Sequence, residues 1–179
     1  MKTWLKVESG VTEDDALIGD LITAARKRVE RYTGTALLTQ TITETFDEFP
    51  FSDRLNRHAA LKLSMSPVQS VTSVKYKAQS DGTLTTWDSS NYNVDLTAHP
   101  VRIAPVYDLD WPEIYDEINA VEVVYVAGYT ATSDANFPSE LITAIKYEVA
   151  AAYENRADFA KRYKNMSEAL MDLVAIRQV

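Results

Sequence analysis

The periodicity of the apolar residues changes twice along this chain, from helical to strand-like and back, and that change limits the folds open to it. Between about Thr12 and Thr33, Leu17, Leu21, Ala24, Ala25, Val29 and Tyr32 recur at helical spacing. Thr12 is a good N-cap with Asp15 three residues on, which resembles a capping box. Glu13, Asp14 and Asp15 crowd the start of this segment, and Arg26, Lys27, Arg28 and Arg31 its end, as the helix dipole favours. Gly34 is a natural stop.

From about Ala36 to Tyr129 the pattern is strand-like. Thr39 to Phe46 alternates polar and apolar positions, and Val71 to Tyr76 places Val74 and Tyr76 on one face. Leu61 and Leu63 form a short apolar pair before Pro67. Ser80-Asp81-Gly82 predicts a turn, with Thr83 to Trp87 as the returning hairpin strand. Tyr92 to Leu96 and Val101 to Ile103 flank His99-Pro100, and Ala120 to Val126 is the strongest strand, ended by Gly128. Helical spacing then returns. Pro138 suits the start of a helix carrying Leu141, Ile145, Val149 and Ala152, widened by Ile142 and Tyr153 and running to about Arg156. After a break at 158–165, Ser167 caps a short final helix with Leu170, Leu173, Val174 and Ile176.

An amphipathic helix cannot bury its stripe alone, so the two ends are expected to pack on each other. The expected fold is α+β. The N- and C-terminal helices (1–36 and 131–179) form a helical unit, and residues 37–130 form an inserted antiparallel β-rich region. A chain of 179 residues is long enough to build its own core.

The chain has no cysteine, which excludes disulfides, thiolate zinc sites, iron–sulfur clusters and cysteine nucleophiles. No apolar run reaches the roughly 18 residues a membrane helix needs, and Met1 to Gly10 lacks the apolar core of a signal peptide, so neither span nor leader is expected. The net charge of −8 argues against sequence-specific DNA binding, which depends on releasing counterions from phosphates. An acidic surface beside DNA would instead let a duplex slide past.

The candidates for chemistry each have a plainer reading. His58 and His99 lack ligands at helical spacing and read as surface or turn residues. Asp108, Asp110, Glu113, Asp116 and Glu117 surround Trp111-Pro112. They lack the glycine and alternation of a calcium loop and read as a solvated loop anchored by Trp111. Arg26-Lys27-Arg28 with Arg31 is either a phosphate patch or the ordinary end of a helix. Glu44 with Asp47 or Glu48 has the residue types of a glycosidase pair but reads as strand-end carboxylates. No Gly-x-Ser-x-Gly elbow or glycine-rich phosphate loop is present, and Asn165-Met166-Ser167 reads as a chance sequon. Tyr147 and Tyr153 belong to the core, whereas Phe159 and Tyr163, set among Lys161, Arg162 and Lys164, read as an interface or as simple packing. No catalytic constellation emerges, so neither an enzymatic role nor a metal or cofactor is expected.

Several stretches together carry a family resemblance. They are Leu21 to Ala25, Val29 to Gly34 and Leu37 to Thr41, then Ser66 to Tyr76 and Asn91 to Val94. Trp111-Pro112, Ala120 to Val123, Ala127 to Tyr129, and Pro138 to Arg156 follow. In this order and spacing the chain resembles the gp6-like phage head–tail connector (adaptor) proteins, in the branch with a β-rich insertion. The loop from Pro50 to Ala60 and the tail beyond Asp158 depart from that pattern. The resemblance implies a structural virion protein, made in the bacterial host cytoplasm and placed at the head–tail junction of a tailed phage or prophage. It would form a ring, dodecameric in the virion, under the portal protein. The ring would extend the DNA channel without sequence-specific binding to the passing DNA, and would dock a neck or tail-completion protein. The terminal helices are expected to build the ring, with the β region facing outward or toward the tail. The C-terminal segment is expected to reach the portal, with Arg156, Phe159, Tyr163, Met171, Val174 and Ile176 at the portal or ring interface. Truncation after Arg156 is expected to abolish docking and leave the fold intact. A β-rich binding module of a phage tail accessory protein and an enzyme of unrecognised type are the alternatives.

Overall fold

The computed structural model describes residues 1–50, 59–131, 137–154, 168, 169, 171 and 172. The chain divides into two compact units: Met1–Leu37 with Ala131–Val179, and Leu38–Thr130. The fold is α+β with helices toward both ends of the chain, as its periodicity predicts.

In the first unit, α1 (Asp15–Thr33) packs against α2 (Ser139–Glu154). Ile18, Ala25 and Val29 bury against Val149, Ala150, Leu141 and Ala144, with Leu5, Leu37 and Met171 completing the core. Each large aliphatic buried in this seam contributes roughly 1.5–3 kcal/mol. The buried face of α1 is centred one position away from the predicted stripe: Leu17, Ala24 and Tyr32 are exposed, while Ile18, Ala25, Val29 and Thr33 are buried. Tyr32 instead donates its hydroxyl to Asp172 (2.6 Å) at the surface.

The helix also starts later than Thr12. Asp14 occupies the N-cap without a capping bond from its side chain. The carboxylates there serve tertiary contacts: Asp14 accepts from the Tyr153 hydroxyl at 2.6 Å and Asp15 pairs with Lys2 at 2.6 Å. Gly34 ends α1 in the left-handed conformation (φ 64°), as a C-terminal glycine does.

A charge lies inside the helical seam. Glu148 is only 7% exposed. Arg28 reaches it at 3.2 Å with one guanidinium nitrogen and Glu168 at 3.2 Å with another. Removing one partner of a buried pair costs more than the pair contributes, because the remaining charge keeps its desolvation penalty.

The second unit holds two antiparallel sheets. The larger, in the order β1-β7-β3-β4, consists of β1 (Gln40–Phe46), β7 (Val121–Ala127), β3 (Val68–Lys77) and β4 (Leu84–Trp87). The smaller, in the order β2-β6-β5, consists of β2 (Leu61–Lys62), β6 (Arg102–Pro105) and β5 (Tyr92–Asp95). β7 is the central strand, and its alternation is complete: Val121, Val123, Tyr125 and Ala127 are fully buried on one face. On the other face Glu122 sits opposite Lys75 in register and pairs with it at 2.9 Å. The β3–β4 hairpin turns where expected. Asp81 accepts from the Thr83 backbone N–H at 2.9 Å, and Gly82 takes φ 69°.

Gly128 marks where β7 ends. Its φ is 115°, and a Cβ there would lie 2.2 Å from the Leu38 carbonyl oxygen.

Two stability measurements check these contacts. Gly128→Ala should lose roughly 3 kcal/mol in chemical denaturation, from left-handed strain plus backbone collision. Gly10→Ala, whose Cβ would meet nothing within 4 Å, should change nothing comparable. Arg28→Ala should cost about 2 kcal/mol in the same assay, and adding Glu148→Gln should recover part of that loss.

Candidate functional site

The acidic loop singled out in the sequence forms the wall of an open groove in the β-rich unit. The groove has a volume of 850 Å³ and is lined by Asp47 to Pro50, Gln79, Asp110 to Ile114 and Asp116 to Ile118. Its base is aromatic. Trp111 stacks on Phe49 with centroids 4.4 Å apart and planes at 13°, and Trp87 lies 5.1 Å from Trp111. Trp87 in turn stacks on the buried Tyr92 at 5.4 Å. Trp111 donates its indole N–H to the Ala59 carbonyl at 3.1 Å, so the loop is anchored through this side chain. The groove is apolar as well as acidic: its lining residue Ile118 is 70% exposed.

Six carboxylates line this groove: Asp47, Glu48, Asp110, Glu113, Asp116 and Glu117. Asp47 accepts from the Asn119 backbone N–H at 2.9 Å, and Lys77 pairs with Glu117 at 2.7 Å. Asp110, Glu113 and Asp116 are exposed and form no ion pair among the described residues. Such a surface repels phosphate and attracts cationic, partly apolar groups. Among the described residues no group of three or more His, Asp or Glu side chains is placed to hold a metal ion.

The other candidates disperse. Glu44 accepts from the Tyr125 hydroxyl at 2.9 Å and from the Ser64 backbone N–H at 3.1 Å, a bracing role inside the sheet unit. Burial, reinforced by the Glu44 carboxylate, pushes the Tyr125 hydroxyl up to about 12. Asp95 is held well below the usual carboxylate range by the Thr97 hydroxyl, then by Arg102 and nearby backbone N–H groups. Asp95 thus serves a turn at the end of β5, whereas Glu44 lies inside β1 and not at its end, contrary to the strand-end reading. His99 is exposed, and His58 lies outside the described residues. The basic end of α1 is divided: Arg28 serves the helical seam, whereas Lys27 and Arg31 are exposed and in no ion pair among the described residues.

Of the predicted interface residues, Met171 is fully buried among Val29, Leu37, Leu141 and Ala144, so its side chain is spent inside the subunit. Arg156, Phe159, Tyr163, Val174 and Ile176 lie outside the described residues. The burial of Met171 and the Arg28–Glu168 pair change one expectation: a cut after Arg156 removes part of the helical core, so it cannot leave the fold intact.

No protein family matches the sequence, and neither does any curated protein. Solved structures do match. A chain from the neck of an empty GTA particle, computed with C6 symmetry, superposes with a TM-score of 0.71 at 22% identity, covering 94% of this chain and 85% of that one. A chain from the virion of a native gene transfer agent (GTA) particle gives 0.68 at 22% identity, covering 93% and 81%. One from the neck of a native GTA particle, computed with C12 symmetry, gives 0.68 at 23% identity, covering 89% and 81%. What is shared is the fold, over nearly the whole chain.

Trp111→Ala should cost about 2–3 kcal/mol in denaturation, since a partly buried ring loses its stack and its hydrogen bond, and Trp111→Phe should cost less.

Proposed function

We propose that this protein is a structural head–tail connector (adaptor) of a tailed-phage or prophage particle. It forms a ring under the portal protein that extends the DNA channel and docks a neck or tail-completion protein. The observation that carries this reading is the match to a chain of a GTA particle neck over 94% of the present sequence. The C12 symmetry of one such neck accords with a dodecameric ring. The net charge of −8 suits a conduit that must not grip the DNA passing through it. The protein's place is then the virion, at the head–tail junction, after synthesis in the host cytoplasm.

Within this reading the tail of the chain contacts the portal, and Val174 and Ile176 are its apolar anchors, while Arg156, Phe159 and Tyr163 serve the portal or the ring. Because Met171 and Glu168 belong to the helical unit, the informative truncation falls after Asp172. That variant should unfold within about 2 °C of the full chain, well inside the shift one lost core contact produces. It should bind purified portal at least ~10-fold more weakly, a loss of about 1.4 kcal/mol. Unchanged portal binding removes the arm. Cryo-electron microscopy of intact particles tests the whole reading: a ring of this chain beneath the portal is expected, and particles that lack it overturn the assignment.

A further inference from the structure

We infer that, in the assembled ring, the outer face of α1 of one copy docks against the acidic groove around Trp111 of the next copy. The inference rests on the ring reading above and names the two surfaces that meet.

The first observation is Gly19. It sits inside a helix, where glycine costs roughly 1 kcal/mol relative to alanine. A Cβ at this position would meet nothing within 4 Å, so nothing in the subunit calls for a glycine there. Ala16 and Thr23, on the same exposed face, are also small. Over Ala16, Gly19 and Thr23 another backbone or an aromatic edge can approach closely, and the one acid on this side, Asp20, is outnumbered by the cations that follow. Further along, the same side carries Lys27 and Arg31, both exposed and outside every ion pair among the described residues.

The groove is the complementary surface. Asp110, Glu113 and Asp116 are exposed and also outside any such pair, over a base of Phe49 and Trp111, with Ile118 projecting beside them. Each copy carries a net charge of −8, so identical subunits repel unless cations of one meet carboxylates of another. At physiological salt, screening over about 8 Å confines that compensation to groups in direct contact. A closed ring of identical subunits joins two different faces of the protein, and here the two faces are opposite in charge. The ring contact then links the helical unit of one copy to the β-rich unit of its neighbour, in place of the expectation that the terminal helices build the ring alone.

The chain contains no cysteine, so introduced pairs report contacts without background. In assembled particles oxidised with copper phenanthroline, the double variant Lys27→Cys/Glu113→Cys should give a ladder of covalent multimers above the dimer. Each single-cysteine variant should stop at the dimer or below. A double variant that stops there too, in particles whose neck keeps the ring, overturns this docking and leaves the connector reading standing. Particles with no ring remove both. Charge exchange gives a second test. Lys27→Glu/Arg31→Glu and Asp110→Lys/Glu113→Lys/Asp116→Lys should each cut ring occupancy at least ~10-fold, and subunits carrying both sets should recover it. Gly19→Leu should raise the melting temperature of the subunit yet weaken the ring. Arg54 and Arg57 follow the groove residue Pro50 in the sequence, and recovery of the groove variant by Arg54→Glu/Arg57→Glu, but not by the α1 exchange, would give the groove to the chain's own arginines. Loss of a different partner with the ring intact would give it to a cationic segment of that partner. Either result overturns the docking.

Discussion

A helix with one apolar side must cover that side, and among the described residues the only other long helix comes from far along the sequence. The contact of α1 with α2 therefore joins residues more than a hundred positions apart and requires everything between them to fold as an excursion. The seam is mostly apolar, apart from the Tyr153–Asp14 hydrogen bond at one end and Glu148, where Arg28 and Glu168 bring charge into it. Well-packed hydrophobic residues would stabilise a seam at least as well as such an ion network. The network does restrict the seam geometrically, because one guanidinium must meet two carboxylates on different segments at once.

The electrostatics of the molecule are as uneven as its apolar surface. In the helical unit Asp15 pairs with Lys2 and Arg28 with Glu148 and Glu168, while Lys27 and Arg31 stay outside any ion pair among the described residues. In the β-rich unit, carboxylates collect around an aromatic base, and Glu48, Asp110, Glu113 and Asp116 form no ion pair among the described residues. Surplus charge of one sign beside exposed apolar side chains is a poor arrangement for a solitary subunit and a natural one for a part that is covered on assembly.

The architecture was largely legible in the residues, and the reasons are local. The 3.6-residue spacing through Val29 and again through Leu141 and Val149 has no strand equivalent, and the β-branched run ended by Gly128 has no helical one. The rotation of α1 was not legible: Leu17 is as apolar as Ile18 and Ile22, and the fit against α2 and the N-terminal segment decides which are covered, while the Tyr32 hydroxyl finds Asp172 at the surface. The start of that helix was misplaced because Thr12 has the better capping side chain, while tertiary partners for Asp14 and Asp15 settled the matter. The groove was half legible. Trp111 within an acidic loop pointed to an anchor, but its stack on Phe49, sixty-two positions earlier, comes from the sheet topology and has no local signature. Met171, an apolar residue near the end of the chain, carries no local sign that it belongs to the subunit's own core.

The strands that open and close the β-rich unit lie side by side. Thr39 donates its backbone N–H and its hydroxyl to the Tyr129 carbonyl, at 3.1 and 3.0 Å. The Gln69 amide bridges from Thr39 to the Gly128 carbonyl. A segment whose doorway in is also its doorway out needs nothing from its host except two adjacent attachment points. Such a cassette can be lengthened, reshaped or replaced wholesale without moving the frame that carries it. One helical unit can thereby be joined to β-rich units of different size and surface.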